Sequence, residues 1–392
     1  IYKFYKKNIS MKKKVFTALG LMSGTSMDGV DLSLIKSNGY DEFIAILDKY
    51  FEFDKNLRGK LIVFTDQINT TNDLEKYSRE IQDLEREFTL FHVKILDEIL
   101  TNSKNKIELI GFHGQTIFHN SEKKISKQIG DGKLLSQLTK KIVVNNFRMN
   151  DLKKDGQGAP LTPIFHQLIS YLINKKNKIE TPINIINIGG ISNVTQVSKF
   201  EDLDYSNIKA LDIGPGNCLI DEWIRKKSTK NFDENGEVAK SGKVNELILN
   251  QAIDNFSIKR YGKSFDIKDF DISFVKGLSL EDGCATLTKF TAYLIANGIE
   301  YINKSNNIFP KMNLVCGGGR KNLSLIEDIN FFLPYKNVIL ENIDTLGYDG
   351  DFIESQCFGY LAIRSYLNLP ISFPSTTGCK EPTIGGVVNK NF

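Results

Sequence analysis

Apolar positions in this chain fall into short runs and helical stripes that alternate from end to end. Residues 15–22 are almost continuously apolar, SGTSMDG follows as a polar turn cluster, and 30–35 alternate between apolar and polar. That pattern predicts strand, turn and strand. The same pattern returns at 183–197, where INIINIG leads through GISN into VTQV. The two hairpins start about 170 residues apart, close to half the chain. The repetition predicts a duplicated α/β unit with one hairpin in each lobe. Two unrelated hairpins remain the competing reading.

Between the hairpins, 73–100 carry apolar residues at helical spacing over about seven turns, with Asp73 as a candidate cap. Residues 109–118 read as strand then loop, and 160–174 as an amphipathic helix opening on Pro160. In the second half, 217–227, 244–256 and 281–303 read as helices, and 312–319 as a strand running into glycines. This alternation argues for an α/β protein with mixed sheets. The lobe boundary is expected in the polar stretch 176–182. The resulting division is a basic N-terminal extension (1–14), a first α/β lobe (15–180), a second (181–350), and a final helix and tail (351–392) returning to the first lobe.

Composition narrows the class. The chain has 392 residues, 41% hydrophobic and 25% charged, which is globular usage at a length that favours two domains. A net charge of only +4 on scattered lysines argues against nucleic acid as a partner. Five cysteines stand at 218, 284, 316, 357 and 379, with no CxxC pair or zinc-type spacing, so free thiols in a reducing compartment are expected. No apolar run reaches membrane-spanning length, and the basic start IYKFYKKNISMKKKVF lacks a signal-peptide core. A cytoplasmic protein without membrane contact is expected, with Met11 as a candidate start.

Three segments carry candidate chemistry. In GLMSGTSMDGVD, residues 20–31, small residues let backbone N–H groups approach a phosphate, and Ser23, Thr25 and Ser26 add hydroxyl donors. Asp28 and Asp31 are hard oxygen ligands suited to Mg²⁺. The segment is no Walker A loop, and a glycine-rich hairpin with an acidic tip is the plainer reading. In LDIGPGN, a strand delivers Asp212 to a turn through Gly214, Pro215, Gly216 and Asn217. A carboxylate there suits either a general base or a metal, and a turn-capping role is the alternative. In CGGGRKN, Gly317, Gly318 and Gly319 would admit a flat ligand or a phosphate. Glycine turns and acids in both halves fit a two-lobed phosphotransferase.

These segments together resemble the anhydro-N-acetylmuramic acid kinase family. The likeness runs through GLMSGTSMDGVDLSL, GFHGQTI (111–117), DGQGAPLTPIFH (155–166), NIGGISN (187–193), DIGPGN (212–217), CGGGRKN (316–322) and GYDGDFIESQCFGYLA (347–362), in the family's order over nearly the whole chain. The resemblance implies a two-lobed actin/hexokinase-like fold, built from duplicated ribonuclease H-like units, with ATP in the interlobe cleft. It implies that water opens 1,6-anhydro-N-acetylmuramic acid while the ATP γ-phosphoryl passes to O6, in peptidoglycan recycling.

The resemblance further places ATP phosphates and Mg²⁺ on Gly24, Thr25, Ser26, Met27, Asp28, Gly29, Val30 and Asp31. Gly214, Gly216 and Asn217 form a second phosphate turn, and Gly317, Gly318 and Gly319 lie beside the adenosine. Asp212 is the general base, or an outer-shell Mg²⁺ ligand. Arg148 would meet the lactyl carboxylate, a surface pair with Asp151 being the alternative. His113, Gln115, Asn187 and Glu354 would contact the sugar, and a homodimer is implied. An ordinary sugar or acid kinase of this fold, or a non-catalytic nucleotide-binding protein, are the competing functions. The chain departs from the family at Lys263-Ser264-Phe265-Asp266, where a KSTGRE-like stretch is usual, and at Lys154-Asp155, where Gly-Gly is common.

Overall fold

In the computed structural model, residues 13–200, 205–256, 264–334 and 338–392 are described. Most of the N-terminal extension and Lys263 therefore lie outside the described residues.

The first lobe contains strands β1 (Phe16–Met22), β2 (Gly29–Ser37), β3 (Phe43–Glu52), β4 (Leu109–Phe112), β5 (Gln115–Asn120), β6 (Ile125–Ile129) and β7 (Ile142–Asn145). Its helices are α1 (Lys55–Gln67), α2 (Thr71–Lys76), α3 (Ser78–Asn102), α4 (Gly132–Thr139), α5 (Met149–Lys153) and α6 (Pro163–Asn177). The second lobe has β8 (Ile183–Ile188), β9 (Ile191–Val197), β10 (Ile208–Pro215), β11 (Met312–Cys316) and β12 (Leu340–Asn342). Its helices are α7 (Cys218–Lys227), α8 (Glu237–Ser241), α9 (Glu246–Asn255), α10 (Leu280–Asn306) and α11 (Leu323–Phe332). The chain closes with α12 (Ile353–Tyr366), α13 (Pro374–Thr377) and β13 (Val387–Asn389).

Both sheets repeat one topology. The first runs β3-β2-β1-β4-β7, extended by β13, and the second runs β10-β9-β8-β11-β12. In each, three antiparallel strands lead to two parallel ones. The two hairpins seen in the sequence are β1–β2 and β8–β9, the opening pair of each lobe. The repeated sheet gives the expected duplicated α/β architecture.

Strand alternation sorts the cores. In β1, Phe16, Ala18 and Met22 face an inner core, while Leu19 and Leu21 face an outer one beneath α1 and α3. In β8, Ile183 and Ile185 join that same inner core, and Ile186 and Ile188 face α10 and α11. The inner core is thus shared by the two sheets, with α6 and α12 between them. Each Leu, Ile or Phe buried there stabilises the fold by roughly 1.5–3 kcal/mol.

Helix α12 lies almost on the backbone of the first sheet. A Cβ on Gly20 would fall 1.9 Å from the Ser355 carbonyl oxygen, and one on Gly111 2.1 Å from that of Phe358. Only glycine permits this approach, and it fixes the depth at which the first turn of α12, with Glu354, enters the cleft.

Two expectations need correction. The stripe at 73–100 is two helices broken at Tyr77, whose φ of −101° and ψ of 22° leave the helical region. The cap is Thr70, and Asp73 is the third residue of its capping box. The loop expected after the strand at 109 is a second strand, because β5 pairs with β6 as a small hairpin. Asp155, where family members often have Gly, adopts a φ of +64° and is held by Lys124 and Lys380. Asp tolerates this left-handed geometry better than most residues.

Candidate active site

The same alternation that buries the inner core brings its polar members to the cleft. Along β10, Ile208 joins the inner core and Asp212 follows at the same parity, so its carboxylate faces inward. A bulge after Asp212 then turns the strand into Gly214, whose φ is +151°. Along β2, Asp31, Ser33 and Ile35 share the inner face, and Ser33 meets Ser355 of α12 at 2.6 Å. Asn187 is the penultimate residue of β8, and Glu354 lies in the first turn of α12.

Asp212 is 6% exposed, and burial pushes its carboxyl up to about 6. The Phe265 backbone N–H donates to Oδ2 at 2.9 Å, and it acts with the Arg148 charge to pull the value down. A carboxylate poised near neutrality is what a general base needs.

Arg148 donates from Nη1 to the Gly158 carbonyl at 2.8 Å and from Nη2 to His113 Nε2 at 3.0 Å. It makes no bond to Asp151, whose carboxylate takes the Gly158 N–H and the Thr377 hydroxyl. The surface ion pair is therefore not what the structure contains. The strongest charge partners of Arg148 are Glu354 and Asp212, with Asp151 after them. Its Nε is buried and has no hydrogen-bond partner, a donor left for a ligand oxygen.

His113 has both ring nitrogens engaged, Nδ1 with the Gly114 carbonyl at 2.7 Å and Nε2 with Arg148. Burial and the Arg148 charge hold it neutral, down to about 3. Gln115 accepts from Ser23 at 2.6 Å, which ties GFHGQTI to the first glycine turn. Asn187 accepts from the Cys316 thiol at 3.7 Å and is 4% exposed. Glu354 is raised by burial and lowered by Arg148.

The two hairpin turns meet across the cleft. A Cβ on Gly190 would fall 2.1 Å from Thr25 Oγ1. Gly24 and Gly318 open on free space, with no heavy atom within 4 Å of an added Cβ. Gly319 packs on Ile188, and Gly317 takes a φ of +81°. In the first turn, Ser26 donates to Asp28 at 2.6 Å. The Met27 and Val30 side chains belong to the outer core, so only their backbones are open to a ligand. Gly216 and Asn217 donate their N–H groups to Gly190 and Gly189 within the second lobe.

Asp31 is the most crowded acid. Burial, then Glu354, Asp28, Asp351 and Asp349, push it up to about 8. So many carboxylates around one buried acid suit a cation. Among the described residues, no group of three or more His, Cys, Asp or Glu side chains is close enough to hold a metal alone.

Sequence reading assigned no role to Phe265 or Arg320. The Arg320 side chain, 2% exposed, bonds Asp344, Asp349, Asp351 and the Gly317 carbonyl. Its only signal was its place in CGGGRKN, three residues after the first glycine.

Comparison with known proteins identifies the family. The chain is 56% identical over 383 residues to the anhydro-N-acetylmuramic acid kinase of Pelagibacter ubique, covering 97% of this chain and 100% of that one. It is 35% identical to the kinase of the same name from Agrobacterium fabrum, covering 96% and 99%. That from Rhodospirillum rubrum is 35% identical, with coverage of 94% and 93%. The family model described as anhydro-N-acetylmuramic acid kinase matches residues 16–391, and the chain belongs to that family.

Proposed function

We propose that the cleft binds 1,6-anhydro-N-acetylmuramic acid and ATP, and converts them to N-acetylmuramic acid 6-phosphate and ADP in peptidoglycan recycling. Family membership supports the substrate. The observation that carries the mechanism is Asp212, a buried carboxylate near neutrality with one oxygen held by the Phe265 N–H.

Asp212 takes a proton from a water molecule as that oxygen bonds to the anomeric carbon. The C1–O6 bond breaks, and its electron pair stays on O6, which attacks the γ-phosphorus and displaces ADP. The proton ends on Asp212. Arg148, steadied by neutral His113, receives the lactyl carboxylate through its free Nε. Glu354 and Asn187 hold sugar hydroxyls, and Gln115 braces the first turn through Ser23. The turns at 24–31, 214–217 and 317–319 hold ATP. Mg²⁺ on Asp28 and Asp31 would neutralise charge on the transferring phosphoryl group.

Five free cysteines suit the cytoplasm, where we place the enzyme. Among the described residues, no helix is long and apolar enough to cross a membrane. We read the active form as a homodimer, which sedimentation would test. The mechanism is tested by D212N. Retained binding of sugar and ATP with lost turnover supports it, and near-normal turnover contradicts it.

A further inference from the structure

Residues 264–269 cross the cleft in the stretch where this sequence departs from its family. At one end, Ser264 Oγ lies 3.2 Å from Nε2 of His119, on β5 of the first lobe. At the other, the Lys268 ammonium meets the Thr65 and Ile68 carbonyls at 3.1 and 3.0 Å, and Asn69 Oδ1 at 2.6 Å. All three of its N–H donors are thus used at the C-terminal end of α1, also in the first lobe. A cation is favoured there, where helix carbonyls lack internal partners.

Between these anchors the segment belongs to the second lobe. The Phe265 N–H donates to Asp212 at 2.9 Å, and its ring packs 5.6 Å from Phe270 in that lobe's small helical core. A capping box between Asp266 and Asp269 stiffens the link between Phe265 and Lys268. Movement at Lys268 is thereby transmitted to the Phe265 amide.

We propose that Lys268 is a positioning residue: docked on the end of α1, it fastens the 264–269 strap across the cleft and holds the Phe265 N–H on Asp212. The strap links closure of the lobes to orientation of the base. The inference rests on the role given to Asp212 above. Arg148, which also acts on Asp212 and itself faces Glu354 and Asp151, is held by the Gly158 carbonyl and His113, so changes at Lys268 should leave it in place. Lys268 is exposed, so its exchange should leave global stability nearly unchanged.

The test uses the full chain, with K268M, K268R and N69A. Amide hydrogen exchange of the 264–270 peptide needs no turnover, so it tests the strap even if the sugar assignment fails. K268M should speed that exchange about tenfold, K268R much less, and N69A to an intermediate degree. In turnover, K268M should lower kcat about tenfold while leaving KM for Mg-ATP unchanged. The acid limb of its pH profile should rise by about one pH unit, because Asp212 loses a donor to its ionised form. Unchanged exchange in K268M overturns the proposal. So does faster exchange accompanied by a normal kcat and an unmoved acid limb. A wild-type chain inactive on the anhydro sugar would sink the functional reading alone.

Discussion

Arg148 Nη2 lies 3.0 Å from His113 Nε2, and the imidazole accepts that bond because its other nitrogen donates to the Gly114 carbonyl. The arginine is held in a fixed plane with Nε unpartnered. Truncation to R148M should raise KM for the sugar about 10- to 100-fold, the equivalent of roughly 1.5–3 kcal/mol for a charged hydrogen-bonded contact. KM for ATP should hold. R148K should recover little, since an ammonium lacks the planar fork. Steady-state kinetics with each substrate varied separately reads both constants.

Asp212 must be ionised to accept a proton, and burial sets its value at about 6. Activity should therefore be present above that pH and lost as pH falls through it. Below the midpoint, kcat/KM should drop close to tenfold per pH unit, as for a single required base. A profile flat from pH 5 to 8 would remove Asp212 from the role.

How far the sequence reached depended on the range of the interaction. The hairpins β1–β2 and β8–β9 were legible because alternation and glycine turns are local. Asp212 was legible because a strand, an acid and a Gly-Pro-Gly turn are contiguous. The break at Tyr77 was not, since the apolar stripe continues on both sides of it. Nor was the engagement of His113, which needs Arg148 brought from 35 residues away. The Phe265 N–H was invisible because a backbone donor carries no side-chain signature. It reaches Asp212 over 53 residues only once the second lobe has folded.

Arg320 spends all five N–H donors on Asp344, Asp349, Asp351 and the Gly317 carbonyl. This stitches the glycine turn to the loop that leads into α12 and Glu354. R320K has three donors and cannot replace the set. Because the three carboxylates are 31–48% exposed, solvent screens much of their loss, and the cost should be about 1 kcal/mol. Urea unfolding should show a lowered midpoint, and a wild-type midpoint would refute the assignment.

Gly20 lets α12 rest on β1, with 1.9 Å between a would-be Cβ and the Ser355 carbonyl oxygen. G20A must push the helix outward, at a cost of about 1–3 kcal/mol for overpacking. Because α12 carries Glu354, kcat should fall along with the melting temperature. A variant that loses stability but keeps full kcat would show that the depth of α12 does not set the site.

The central claim is that water opens the anhydro bond as O6 is phosphorylated. The direct measurement incubates the protein with Mg-ATP and 1,6-anhydro-N-acetylmuramic acid in water enriched in heavy oxygen, with products followed by mass spectrometry. The account predicts sugar-dependent ADP and a phosphorylated sugar carrying one solvent oxygen. ADP formed without that product, or a phosphorylated sugar lacking solvent oxygen, would contradict it.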